Sequence, residues 1–460
     1  MKKLIVLVLT LFVGVVLTAC TAVTTTNTTA TGTTSTASTT TVTTTGEVDY
    51  VQGITDTTIL VGNTATVSGD YAFIGLPFNE GIKAVFKAVN DAGGIDGRMI
   101  TLVNRDDGFN GATGLVNTEA LVEEDEVFAL VGHFGTPTVG ATISYIQETG
   151  VPMVYAATGI NALYFAETPE NPVMAVQPIY LTDGRIMAAR AFQEAVYGAE
   201  EDELLPATAK IGVLYTNDDV GNSIKAGIEI EAEELNRANY MTYLAVNADT
   251  VGSAVNYLKG TGVSVVILAM NQAPFAYTLS AMHNAALNVP VFTSYVNADI
   301  TAVNHAEFNE ARPIYTNAWV DIYSEKGALD VQTFVATIAN ADLTDAQKLS
   351  YYGNSFAIAG YIAATVFVEG LKRVAANDED LTWASYIAAM EEGPIDIPMG
   401  GTVDFSDGKR WGIAAMSLLK YGFVLGDNPA TTEVTETDWA IESFAKVREI
   451  QTIEEIEAQD

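Results

Sequence analysis

Cysteine is almost missing from this chain: Cys20 is the only one in 460 residues. A lone thiol excludes a disulfide framework within the chain and excludes zinc–thiolate sites. Histidine is scarce too. His133, His283 and His305 are the three present, and their spacing matches no metal-ligand pattern. Basic residues are few, with 22 Lys and Arg against 57 Asp and Glu and a formal charge of −35. A polyanion would be repelled, which removes nucleic acid as a partner. The acid surplus reads as a solvated surface. No phosphate-cradling glycine loop of the P-loop type occurs, so the chain does not itself hydrolyse ATP. Catalysis finds little footing. His133 has no nucleophile suggested beside it, and Asp106-Asp107 follows a strand and reads as a turn cap. The expected sets of catalytic residues, metal ligands and cofactors are therefore empty.

What is present begins at the N-terminus. Lys2 and Lys3 precede an uncharged, mostly apolar stretch from Leu4 to Leu17. As a helix it would span about 21 Å at roughly 1.5 Å per residue. A membrane-spanning helix needs about 20 residues, so this stretch suits a secretory signal instead. Leu17-Thr18-Ala19-Cys20 resembles the lipobox of bacterial lipoproteins, in which the cysteine is acylated. The expectation is a signal peptide over 1–19 and lipidation at Cys20. Thr21 to Thr45 is almost entirely Thr, Ser and Ala without charge. It has too little apolar surface to offset ordering entropy, which predicts a disordered tether over 20–49. A folded body is expected over 50–426. An acidic tail over 427–460 is expected to be partly disordered, or to form a peripheral helix around Trp439 to Ile453.

The body alternates strand-length apolar runs with helix-length amphipathic stretches. Thr58 to Gly62, Met99 to Val103, Val127 to Val131 and Val151 to Ala156 read as strands. Helices over Gly75 to Ala92, Thr113 to Glu124 and Val139 to Glu148 fall between them. A second series repeats the unit from Asp183 to Ser294. A proline-bearing break at Pro169, Pro172 and Pro178 reads as a crossover between lobes. This rhythm predicts an α/β fold of two lobes, each a mostly parallel sheet with helices on both faces. The body is longer than one core usually supports. Lobe 1 is expected over about 52–178 plus about 325–380, and lobe 2 over about 179–324 plus about 381–426. The aromatic positions from Phe356 to Phe367 read as core.

Several segments together resemble one family. Ala88-Val89-Asn90-Asp91-Ala92-Gly93-Gly94-Ile95-Asp96-Gly97-Arg98, followed by Ile100 to Val103 and Asp106-Asp107, is similar to the amino end of branched-chain amino-acid binding proteins. These are type I periplasmic-binding-protein-like receptors of ABC importers. Val151-Pro152, Ala156-Ala157-Thr158, the helix bearing Tyr361, and Gly401-Thr402-Val403-Asp404-Phe405 continue the resemblance to about residue 425. It implies an interlobe cleft, an amino acid or related small polar solute as ligand, delivery to a membrane permease, a monomer, and an extracytoplasmic place on the cell membrane. A ligand-sensing or adhesive surface lipoprotein with the same fold is the alternative.

Open α/β sheets bind ligands beyond the carboxyl ends of their strands. That rule selects the loops His133 to Thr138 and Ala156 to Asn161, whose free N–H groups at helix starts suit an anion. The resemblance implies that Thr136, Ala156 and Thr158 hold the carboxylate and ammonium of an amino acid; the alternative for the two threonines is helix capping. Tyr180 is expected to face the cleft just past the crossover. Val220-Gly221 stands where the family often has a tyrosine before glycine. The acid expected to neutralise the ammonium is Asp249. Tyr295 and Asn297, with Asp299, form a polar loop expected in the wall. Ser68, Tyr71 and Phe73 are expected to close over the ligand.

Overall fold

The computed structural model describes residues 51–164, 167–193, 205–206, 208–299, 302–425 and 440–458. The expectations for the leader, for Cys20, for the Thr-rich segment and for 427–439 lie outside the described residues.

The first series runs β1 (Thr58–Thr64), α1 (Ala72–Asp91), β2 (Met99–Arg105), α2 (Gly111–Glu123), β3 (Ala129–Val131), α3 (Thr136–Thr149), β4 (Met153–Val154) and β5 (Val173–Met174). Its five strands are all parallel, in the order β2-β1-β3-β4-β5. Local chemistry marks the boundaries. The Asn110 side chain accepts from Thr113 N at the start of α2. Gly150, at φ 78°, ends α3 in the left-handed conformation that favours glycine.

The second series runs α4 (Tyr180–Gln193), β6 (Ile211–Thr216), α5 (Asp219–Glu234), β7 (Met241–Val246), α6 (Val251–Thr261), β8 (Val265–Ala269), α7 (Gln272–Asn284), β9 (Val291–Thr293) and β10 (Ile314–Ala318). The chain then forms α8 (Glu325–Ala339), α9 (Asp345–Tyr351), α10 (Ser355–Ala376), α11 (Trp383–Glu391) and the short hairpin β11 (Ile395–Asp396) and β12 (Thr402–Val403). It closes with β13 (Met416–Leu425), β14 (Ala440–Gln451) and α12 (Ile453–Glu457). The second sheet has the order β14-β13-β10-β9-β8-β6-β7, parallel except for β13 and β14.

Two expectations are corrected. Where a peripheral helix is expected around Trp439 to Ile453, helix begins only at Ile453, and Ala440–Gln451 is a strand, paired antiparallel with β13 from Leu425↔Ala440 to Met416↔Gln451. Its local periodicity is weak, and the ladder comes from a partner strand rather than from its own pattern. The segment 381–410 packs with the first sheet, not the second. Trp383 Nε1 donates to Phe128 O at 2.6 Å, and Tyr386 Oη donates to Phe367 O at 3.1 Å. The polar run Asn377-Asp378-Glu379-Asp380 ends α10 without ending the lobe.

Helix α10 is long and apolar enough to cross a membrane, but most of it is buried inside the body. It lies along α1 at very close range. A Cβ at Gly360 would sit 1.9 Å from Phe78 O, and one at Gly81 would sit 2.2 Å from Ala357 O. Only glycine permits that approach.

The chain passes between the sheets three times, near 175–179, 319–324 and 411–415. The first and third passages run side by side: Trp411 bridges Ala175, and Ile413 N donates to Val176 O at 3.0 Å.

Candidate functional site

A cavity of about 550 Å³ opens where the strand ends of both sheets face each other. In the first sheet, connections diverge to opposite sides between β1 and β3. In the second they diverge between β6 and β8. Such switch points leave a crevice at the carboxyl ends of the strands. The loop after β3 contributes Phe134, Gly135 and Thr136 to the cavity, and the loop after β8 contributes Asn271 and Gln272. The loop after β9 adds Tyr295 and Asp299, and the second passage adds Trp319.

Thr136 opens α3, where the first N–H groups lack helical partners. Gly135 before it has φ 99°, and a Cβ there would lie 2.7 Å from the Phe109 ring. The Thr136 and Thr158 hydroxyls meet at 2.7 Å, and Thr158 Oγ1 also accepts from Ile160 N at 3.3 Å. Tyr180, the first residue of α4, is buried beside both threonines, and burial raises its hydroxyl above the ordinary tyrosine range. Tyr295 Oη donates to Pro178 O at 2.6 Å and accepts from Gln177 Nε2 at 3.1 Å. Asp183, one turn into α4, is fully buried, and burial pushes its carboxyl up to about 7. Asn317 Nδ2 donates to its Oδ1 at 2.9 Å.

The structure sorts the expected residues. Thr136, Tyr180 and Tyr295 border the cavity, and Thr158 stands behind Thr136 as its hydrogen-bond partner. Ala156 is buried without bordering the cavity, and its neighbour Ala157 borders it instead. Asn297 is also buried away from it, donating to Met270 O at 3.0 Å and to Thr293 Oγ1 at 2.8 Å, so it pins the loop. Asp249 is exposed in a turn built on Asn247 Oδ1, which accepts from its N–H at 3.0 Å. It does not border the cavity, because it follows β7 at the outer edge of the second sheet, away from the switch point. Asp299 is the acid that does. Tyr71 borders the cavity, stacked on Phe109 at 4.0 Å between centroids; Ser68 and Phe73 are exposed outside it. Val220-Gly221 does not border it.

His133 is core. Its Nδ1 accepts from Thr64 N at 3.5 Å, so Nε2 carries the proton and donates to Thr118 Oγ1 at 2.8 Å. Burial pushes its pKa down to about 3, which keeps the ring neutral. Asp107 is committed to the fold. It accepts from Thr138 Oγ1 at 2.5 Å, Thr64 Oγ1 at 3.1 Å and Phe109 N at 2.8 Å.

Sequence reasoning missed Phe78, Tyr155, Gln177 and Trp319, and it assigned Phe356 to the core although it borders the cavity. Tyr155 had a readable signal, since it is the first residue beyond β4 at a strand's carboxyl end. Trp319 had none, because β10 was not recognised as a strand.

A profile of the family described as Periplasmic binding protein matches residues 58–422. The Leu/Ile/Val-binding protein homolog 1 of Brucella abortus (strain 2308) is 28% identical over 45% of this chain and 53% of its own length. An amino acid binding protein of Pseudomonas aeruginosa is 25% identical over 38% of this chain and 44% of its own. The matched stretch thus spans about half the length of these curated relatives. Among solved structures, a branched-chain amino acid ABC transporter protein from Thermus thermophilus with bound valine aligns at TM-score 0.64 and 14% identity, covering 87% of this chain and 97% of that one. A fatty acid ABC transporter substrate-binding protein from Thermomonospora curvata aligns at TM-score 0.61 and 20% identity, covering 85% and 94%. These two share the fold. The chain belongs to the Periplasmic binding protein family.

Proposed function

We propose that this chain is the extracytoplasmic solute receptor of an ABC importer. It captures an amino acid or related carboxylate solute between its lobes and delivers it to a membrane permease. Lipid on Cys20 holds it, as a monomer, on the outer face of the cytoplasmic membrane. The observation that carries this reading is the cavity itself, built from strand ends of both sheets, with paired threonine hydroxyls at the start of α3. Neutral donors at a helix N-terminus receive a carboxylate without a basic side chain. The buried neutral imidazole of His133 and the engaged carboxylate of Asp107 favour binding over catalysis.

The test is a thermal-shift screen of the full chain against amino acids, other organic acids, fatty acids, sugars and nucleosides. A true ligand at about 100 times its Kd adds roughly 2.7 kcal/mol of stability. If no class raises the melting temperature, the receptor reading is wrong.

A further inference from the structure

The solute can be narrowed further, on the premise that the receptor reading holds. The cavity is larger than a branched aliphatic amino acid requires. An engineered cavity of about 150 Å³ already takes a benzene ring, whereas this one holds about 550 Å³. Its walls are flat rings, with Phe78, Phe134, Tyr155, Trp319 and Phe356 all bordering it. The Tyr155 ring lies between Phe78 and Trp319, at centroid distances of 5.9 and 6.4 Å. Rings attract in tilted or offset contact over that range, and a ligand ring gains the same contacts. Charge is sparse. No Lys, Arg or His borders the cavity among the described residues, and Asp299 is the single acid that does. A zwitterion needs an acid for its ammonium, and Asp299 is the one such candidate at the cavity, since Asp249 lies out on the surface.

Tyr155 adds an independent observation. Its backbone has φ 62°, a left-handed conformation that a bulky residue keeps only where its surroundings impose it. Its side chain is fully buried, and its hydroxyl has no hydrogen-bond partner among the described residues. A buried hydroxyl left unpaired is costly, and such exceptions point to something that binds there.

We propose that the solute is a ring-bearing carboxylate: its carboxylate sits at Thr136, which Thr158 holds from behind, its ring lies among the aromatic walls, and an oxygen on the ring accepts from the Tyr155 hydroxyl. Calorimetric titration of the full chain, purified in detergent, uses four probes: 3-(4-hydroxyphenyl)propanoate, 3-phenylpropanoate, leucine and valine. The hydroxylated acid should bind at least about tenfold tighter than its unsubstituted analogue, the worth of one good hydrogen bond. Leucine and valine should bind more weakly than either. Tyr155→Phe should erase the preference for the hydroxylated acid and leave 3-phenylpropanoate unchanged. Its melting temperature should not fall, since no protein partner is lost.

Leucine or valine binding as tightly as the ring-bearing acids removes the proposed class but keeps the receptor. An unaltered preference in Tyr155→Phe, or a lowered melting temperature, removes the role of Tyr155. If none of the four binds while another class stabilises the chain in the screen, the proposal fails and the receptor reading stands.

Discussion

At the scale of single residues, the threonine pair and one buried acid make separable claims. Thr136 bonds to Thr158 at 2.7 Å and opens α3, so on the proposed reading its loss removes a donor to the ligand's carboxylate. Thr136→Ala should cost roughly 1.5–3 kcal/mol of binding, or about 10- to 150-fold in affinity. Titration of the best screened ligand reads this directly, and unchanged affinity would separate the pair from ligand recognition. Asp183 contributes to the pH dependence of stability. Burial raises its carboxyl to about 7, so the folded state holds a proton that the unfolded chain releases near pH 4. Its stabilising contribution is complete below that range and fades as pH rises towards 7. Asp183→Asn should therefore flatten the stability curve, removing a slope of up to roughly 1.4 kcal/mol per pH unit between about pH 4 and 7. Urea titrations across that interval measure the difference. His133 acts in the opposite sense. Its pKa is depressed to about 3, so the stability it contributes is present above about 6.5 and is lost as pH falls below that.

At the scale of elements, much was legible in the chain. Apolar runs such as Thr58 to Gly62 and Val127 to Val131 announced β1 and β3, because a strand buried on both faces has no polar side to show. Short or partner-dependent strands were not legible. β5 has two residues, and β14 takes its ladder from β13. The site divided along the same line. Thr136 and Tyr180 follow from strand ends and the crossover, whereas the aromatic walls come from segments far apart in sequence that only the fold assembles. Asp249 lies away from the cavity, and the sequence does not tell where in the sheet the strand before it, β7, lies. The α1–α10 contact gives a test at this scale. Gly360→Ala places a methyl 1.9 Å from Phe78 O, which forces the helices apart. Overpacking of this kind costs typically about 1–3 kcal/mol, and thermal melts should show the loss. An undiminished melting temperature would mean that the two helices separate freely.

At the scale of the whole molecule, three passages join two sheets around one cavity. Lobe closure on a ligand predicts a smaller radius of gyration by small-angle scattering at saturation than without ligand. An unchanged radius under a verified ligand would mean that the lobes do not close. Cys20→Ser should shift the protein from the membrane fraction to the medium, and retention would remove the lipid anchor. The triple passage also governs how the chain reaches its native state. α1 finds its main partner only in α10, and β10 is flanked on one side by β13, so neither core is complete until most of the sequence is available. Contacts this distant in sequence make folding slow. A chain of this connectivity stays open while it is being made, the condition in which it can still be threaded through an export channel.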